Sequence, residues 1–207
     1  MISLFEQLYE CIEAPASLCS NLVIVNRTRS NSYRKCLLVD RDGTLIEYSP
    51  YLIDFLQVRL VSEIVEVIKF ANEIQIPVYI VSNQAGVAHG YFTELELLSL
   101  NSQILRLMYQ DYGAYVDGVF CCTSHPKPNN GGIGKLCKCR KPEPGLLNAA
   151  INQSEAQPLM AGLLGDTDSD VTAALNAGLK YTWLVTPTNR CQVKNSVMDW
   201  LSGGPEN

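Results

Sequence analysis

From Cys36 to Val185 five short apolar stretches alternate with longer segments of helical periodicity. The stretches are Cys36–Val39, Pro77–Val81, Val116–Cys122, Leu159–Leu164 and Tyr181–Val185. Strands apolar along their length are buried on both faces, and strands separated by helices pair in parallel through crossovers. The intervening segments carry matching signals. Apolar residues at 61, 64, 65, 68 and 71 predict a helix over Val61–Ile74. Thr93 and Glu96 have capping-box spacing before a Leu-rich helix running to about Tyr109. Pro144 suits the first position of a helix over 144–152, and a helix over 169–177 stops at Gly178. The expected fold is α/β, a parallel sheet with helices on both faces.

Outside this core, residues 2–13 read as a short amphipathic helix, Asn21–Asn26 as a strand and Arg27–Lys35 as a polar connector. The expected division is an N-terminal extension over 1–34 (helix and strand), a main domain over 35–190, and a C-terminal helix or tail over 191–207. At 207 residues one core suffices. A net charge of −5 with no Lys/Arg block argues against a nucleic-acid partner, and no apolar run is long enough to span a bilayer. Met1–Glu13 contains three Glu and no early basic residue, unlike a secretory signal. With eight Cys, this suggests a reducing, cytoplasmic setting, where clustered thiols more often bind metal than pair as disulfides. Cys11, Cys19, Cys36 and Cys191 are scattered and read as small buried hydrophobes.

The chemistry gathers where strands end. Asp40 and Asp42 follow the first apolar strand and, two residues apart, point the same way at the sheet's carboxyl edge. A carboxylate pair there suits Mg²⁺, with one Asp placed to attack phosphorus and the other to handle protons. Ser82 and Asn83 end the second strand, where a hydroxyl and an amide can donate to a phosphoryl group. Asp166 and Asp170 follow the fourth; they read as helix-capping acids or as a second set of metal ligands.

In this order, Asp40-Arg41-Asp42-Gly43-Thr44, Ser82, Lys141 and Asp166/Asp170 resemble the four motifs of the haloacid dehalogenase-type phosphatases, over about residues 36–190. The resemblance implies a Rossmann-like fold and a hydrolase acting on phosphoric monoesters. It implies Asp40 as nucleophile and Asp42 as general acid/base. Mg²⁺ would be held by Asp40, Asp166 and the Asp42 backbone carbonyl, with Asp170 supporting from behind. Lys141 would stabilise charge on the nucleophile and phosphate.

A second cluster comprises Cys121-Cys122-Thr123-Ser124-His125 and Cys137-Lys138-Cys139-Arg140-Lys141-Pro142. Two Cys flanking one residue, with Cys and His some fifteen residues upstream, suit a structural Zn²⁺. A loop rich in Pro, Gly and Asn has little apolar content to hold it closed without metal. The loop, 121–139, resembles the zinc-loop subgroup that holds D-glycero-D-manno-heptose 1,7-bisphosphate 7-phosphatases and histidinol-phosphate phosphatases. It departs from the subgroup's pattern: Ser124 stands where the His is expected, one place before His125. Cys122, Cys137 and Cys139 are the expected ligands, with His125 as the fourth and Cys121 as its alternative.

Ser82–Thr93 and the fourteen residues between Cys122 and Cys137 resemble the heptose enzymes more than the histidinol ones. The expected partner is therefore a small phosphorylated sugar, in carbohydrate metabolism feeding lipopolysaccharide biosynthesis. Histidinol phosphate, or a non-catalytic binding module keeping the fold, are the alternatives. Expected substrate contacts are Ser82, Asn83, His89 and Arg140, with the loop 46–57 beside them. The heptose enzymes usually carry Arg where His89 stands, Lys where Thr167 stands, and Asn near Ile46. No membrane or nucleic-acid partner is expected, and the chain is expected to be a monomer or weak homo-oligomer.

Overall fold

The structure, a computed structural model, describes residues 9–13, 18–19, 22–26, 35–129 and 137–203. Among the described residues seven strands form one sheet: β1 (Tyr9–Glu13), β2 (Leu22–Asn26), β3 (Cys36–Val39), β4 (Val78–Asn83), β5 (Gly118–Cys122), β6 (Ala161–Gly165) and β7 (Tyr181–Leu184). Their order is β1-β2-β5-β4-β3-β6-β7. The five strands from β3 to β7 are parallel, as expected, while β1 and β2 add an antiparallel pair beyond β5. Side-chain alternation divides the sheet into two cores. Leu37, Val39, Val78, Ile80, Val119 and Cys121 face one core, packed by α1 (Ser62–Glu73), α3 (Glu94–Tyr112) and α6 (Arg190–Leu201). Leu38, Tyr79, Val81, Phe120 and Cys122 face the other, packed by α4 (Gly145–Ser154) and α5 (Asp168–Asn176). A short helix, α2 (Ala85–His89), follows β4.

Local signals held closely. Thr93 and Glu96 form the expected capping box at α3, which runs three residues beyond Tyr109 before Gly113 (φ +68°) ends it. Pro144 precedes α4 as its N-cap rather than its first residue. The helix expected over 2–13 is not found where the chain is described. Tyr9–Glu13 is instead a strand paired with β2, so the extension meets the sheet as two strands. Cross-strand backbone pairing outweighs weak helical periodicity there. Tyr9 also anchors the edge: its hydroxyl donates to the Val116 carbonyl (2.9 Å) and accepts from the Val116 N–H (3.1 Å). Residues 1–8 and most of the connector over 27–35 lie outside the described residues. No described helix is long and apolar enough to cross a membrane.

In this order β3 is flanked by β4 and β6, whose crossovers lie on opposite faces of the sheet. That is a topological switch point, where the carboxyl ends of parallel strands leave a crevice for ligand.

Candidate active site

Asp40 leaves β3 into the crevice with only 6% of its surface exposed. Lys141, 4% exposed, reaches it from the loop before α4: Nζ donates to Asp40 Oδ1 at 2.5 Å and to the Val81 carbonyl at 2.9 Å, and pairs with Asp170 Oδ1 at 2.5 Å. Asp170, on the first turn of α5, also accepts from the Thr167 hydroxyl (2.6 Å) and N–H (3.1 Å). Carboxylate oxygens of Asp40, Asp166 and Asp170 all lie within 4.8 Å of one another. Gly43 makes that approach possible. Its φ is +88°, and a Cβ there would stand 2.1 Å from Asp166 Oδ2.

Three carboxylates and one ammonium leave the floor of the site with excess negative charge. Burial, opposed by Lys141 but reinforced by Asp170 and Asp42, pushes the Asp40 carboxyl up to about 7. Burial, then Asp170, raises Asp166 as well. Burial works against the Lys141 charge, but Asp40 and Asp170 together hold its ammonium above the usual lysine range. A hard divalent cation beside Asp40 and Asp166 would relieve this imbalance, so the donor set fits Mg²⁺.

Asp42 belongs to a different network. Its Oδ2 accepts from Gln84 Nε2 (2.5 Å) and Arg41 Nη2 (2.9 Å), and its Oδ1 from Arg41 Nε (3.1 Å) and Nη2 (3.0 Å). Arg41 is 1% exposed and also donates to Asn101 Oδ1 at 2.8 Å. Gln84 Nε2 additionally donates to Ser82 Oγ at 2.8 Å. Thus the Asp42 side chain is held by Arg41 and Gln84, outside the cluster formed by the Asp40, Asp166 and Asp170 carboxylates. Sequence reasoning passed over Arg41 and Gln84. Adjacency to Asp40, Asp42 and Ser82 was the available signal, but only the fold shows these long side chains turning back on Asp42.

Asn83 is engaged differently from the expected phosphate contact. Its amide grips the Lys141 backbone at both ends, Nδ2 donating to the carbonyl and Oδ1 accepting from the N–H, each at 3.0 Å. It lines the cavity and fixes the strand-to-loop geometry that aims Lys141.

The cavity above these groups is about 340 Å³, lined by Asp40, Asp42, Ser82, Asn83, Lys141, Asp166 and Asp170, with Tyr48, Tyr51, His89, His125, Arg140 and Thr167 further out. That is room for a small polar ligand. Arg140 Nη1 donates to the Ser124 carbonyl at 3.2 Å. His89 is buried, its Nδ1 accepting from the Asn129 N–H at 3.0 Å. Burial, then the nearby His125 and Arg140, lowers its pKa. Two expected neighbours of the pocket lie elsewhere. Ile46 is fully buried in the core, since the turn after Asp42 folds it inward, and Glu47 pairs with Arg190 at 2.6 and 2.8 Å.

The cysteine cluster also differs from its expected form. Sγ atoms of Cys122, Cys137 and Cys139 come together as expected, but the fourth in the group is Cys19; all lie within 4.8 Å of one another. His125 turns away: its Nδ1 lies against the Lys127 backbone, 2.8 Å from the carbonyl oxygen and 3.2 Å from the nitrogen, and its ring lies 4.7 Å from that of His89 at the cavity. Cys121 is excluded by strand alternation. It faces the opposite core, where Asn101 Nδ2 donates to its Sγ at 3.6 Å and burial pushes the thiol up to about 11. Cys19 carried no sequence signal because it stands more than a hundred residues from its partners.

The HAD-hydrolase-like family model matches residues 138–191. D-glycero-β-D-manno-heptose-1,7-bisphosphate 7-phosphatase of Pasteurella multocida is 32% identical over 152 residues, covering 73% of this chain and 82% of that protein. The enzyme of the same name from Haemophilus ducreyi is 30% identical, covering 73% and 83%. Among solved structures, the D,D-heptose 1,7-bisphosphate phosphatase of B. bronchiseptica, complexed with magnesium and phosphate, superposes with a TM-score of 0.62 at 25% identity, covering 78% of this chain and 86% of that one. A HAD-like protein from Mesorhizobium loti reaches 0.76 at 27% identity, covering 93% and 100%. The strand-end carboxylates, the buried lysine and these relatives agree: the chain belongs to the HAD phosphatases, in the family of the D-glycero-D-manno-heptose-1,7-bisphosphate 7-phosphatases.

Proposed function

We propose that this protein is a Mg²⁺-dependent phosphatase that removes the 7-phosphate of a D-glycero-D-manno-heptose 1,7-bisphosphate through an aspartyl-phosphate on Asp40. The observation that carries the reading is the pairing of the buried Asp40–Lys141–Asp170 triad with a separately clamped Asp42. One carboxylate is held for attack and another for proton transfer. Asp40 Oδ attacks phosphorus and the bond from phosphorus to the sugar oxygen breaks. Asp42 gives its proton to the departing alkoxide. A water then attacks the phosphorus of the aspartyl-phosphate, Asp42 takes its proton, and the Asp40–phosphorus bond breaks to release phosphate. Asp40, Asp166 and the Asp42 carbonyl would hold Mg²⁺, which when bound neutralises phosphate oxygens and orients them. Ser82 faces the transferring phosphoryl group, and Lys141 balances charge on Asp40.

Selectivity falls to the rim. Arg140 presents a planar fork suited to a second phosphate, with His89 and His125 beside it and the exposed rings of Tyr48 and Tyr51 against the sugar. Cys122, Cys137 and Cys139 supply thiolates for a structural Zn²⁺ that braces the backbone leading into Arg140 and Lys141. A thiol-rich site of this kind suits the reducing cytoplasm.

The test compares heptose 1,7-bisphosphate, histidinol phosphate and fructose 1,6-bisphosphate, each with and without Mg²⁺. Heptose bisphosphate is expected to lead in kcat/KM, with activity requiring Mg²⁺ and lost in Asp40→Asn. Preference for histidinol phosphate by more than about tenfold, roughly 1.4 kcal/mol, would overturn the sugar assignment. Metal-independent turnover, or an active Asp40→Asn, would overturn the mechanism.

A further inference from the structure

We infer that Cys19, from the N-terminal extension, is the fourth ligand of the zinc site, which is a Cys₄ centre tying the antiparallel edge of the sheet to the active-site loop. The assignment rests on the zinc reading of the loop and adds a donor from outside the region that resembles the family. Three observations support it.

The first is proximity of donors. Cys19 Sγ lies 3.3 Å from Cys122 Sγ and 3.4 Å from Cys139 Sγ, with Cys137 completing the group. Cys137 Sγ and Cys139 Sγ stand 2.6 Å apart; tetrahedral zinc with Zn–S bonds of about 2.3 Å needs sulfurs roughly 3.8 Å apart, so binding requires the cluster to open, most of all between these two side chains. The four cysteines are free thiols rather than disulfides.

The second is position. β2 runs antiparallel to β5 with Ile24 opposite Val119 and Val25 opposite Gly118. Beyond this pairing Cys19 lies beside the end of β5, its Sγ 3.3 Å from Cys122 Sγ and 3.9 Å from Thr123 Oγ1. Ser124 stands where the subgroup's His is expected, and its hydroxyl lies 3.4 Å from Cys122 Sγ. Serine offers no soft donor, so the thiol supplied across the strands fills the role that position 124 has lost.

The third is the local turn. The Cys139 N–H points to Cys137 Sγ at 3.4 Å, the Arg140 N–H donates to the Cys137 carbonyl at 3.3 Å, and the Gly145 N–H to the Lys138 carbonyl at 3.1 Å. Backbone N–H groups aimed at sulfur and carbonyls around a Cys-x-Cys turn hold the two thiolates on one side, as a metal-binding turn requires. A Cβ on Gly145 would stand 2.5 Å from the Lys138 carbonyl, so α4 abuts the turn directly. One metal therefore joins β2, β5 and the residues preceding Arg140 and Lys141.

The test uses the full chain purified without chelator, with zinc measured by elemental analysis and the site reported by Co²⁺ substitution. Wild type should hold about one zinc per chain and give a sulfur-to-cobalt charge-transfer band. Cys19→Ser should weaken zinc at least tenfold in competition with a chromogenic chelator, and lose about a quarter of the band. His125→Ala and Cys121→Ser should change neither. Cys19→His should restore binding with a spectrum altered by the nitrogen ligand, which separates ligation from a folding defect. Unchanged zinc affinity and spectrum in Cys19→Ser, or their loss in His125→Ala, would overturn the assignment. Wild type without zinc would overturn the zinc reading itself. Hydrolysis of an aryl phosphate by the same samples reports separately on the phosphatase reading.

Discussion

Arg41→Met tests whether the clamp on Asp42 is part of the catalytic machinery. The substitution keeps an unbranched side chain of similar reach but removes three of the four polar contacts holding the Asp42 carboxylate, leaving only that from Gln84. It also strips Asn101 Oδ1 of its 2.8 Å donor. Breaking a buried ion pair from one side costs about 3–5 kcal/mol. The Asp42 side chain keeps 20% exposure and the Gln84 bond, which places the loss near the low end, about 3 kcal/mol. Stability should therefore fall while the protein remains folded at assay temperature. The kinetic effect should depend on the leaving group. General acid catalysis contributes about 10²–10⁴-fold, so a loosened Asp42 should lower kcat/KM on a sugar phosphate by about 10², roughly 2.7 kcal/mol. An aryl phosphate whose phenolate leaves without protonation does not need Asp42 in the step that kcat/KM reports, and should change by less than about threefold. The assay is a paired measurement of kcat/KM for the two substrates, below the melting temperature of the variant. An equal fall for both, or none for the sugar phosphate, would refute the positioning role.

Three further outcomes are expected. Gly43→Ala, which combines a φ of +88° with a Cβ 2.1 Å from Asp166 Oδ2, should displace Asp166; activity should fall more than about 100-fold and Mg²⁺ should activate only at higher concentration, read by metal titration. Arg140→Ala should raise KM for the bisphosphate at least about tenfold while leaving aryl phosphate hydrolysis within about twofold, since only the bisphosphate presents a second anion. Tyr9→Phe should lower stability by about 1–3 kcal/mol in denaturant unfolding, because it removes both hydrogen bonds to Val116 and leaves that buried backbone unpaired. A wild-type-like midpoint would show that the extension does not secure the edge of the sheet.

Local interactions were legible in the sequence because they are encoded within a few residues. Apolar runs marked the five parallel strands, the Thr93/Glu96 pair marked the start of α3, and the acidic and polar strand ends marked Asp40, Asp42, Ser82, Asp166 and Asp170 as one candidate site. The cysteine spacing of the loop identified three of the four thiols that meet. Long-range placement was not legible. The segment Tyr9–Glu13 becomes a strand because β2 offers it backbone partners, which no local pattern reveals. Asn83 turns from a phosphate donor into the clasp of Lys141 because a loop nearly sixty residues later passes its amide. His125 lies at the cavity rather than with the thiols, and Cys19 meets them from more than a hundred residues away. Sequence by itself determined which strand-end side chains were candidates for the chemistry, since residue type and strand phase are local properties. The tertiary structure decided which of them touch, because burial, strand order and register bring together groups that the chain alone keeps apart.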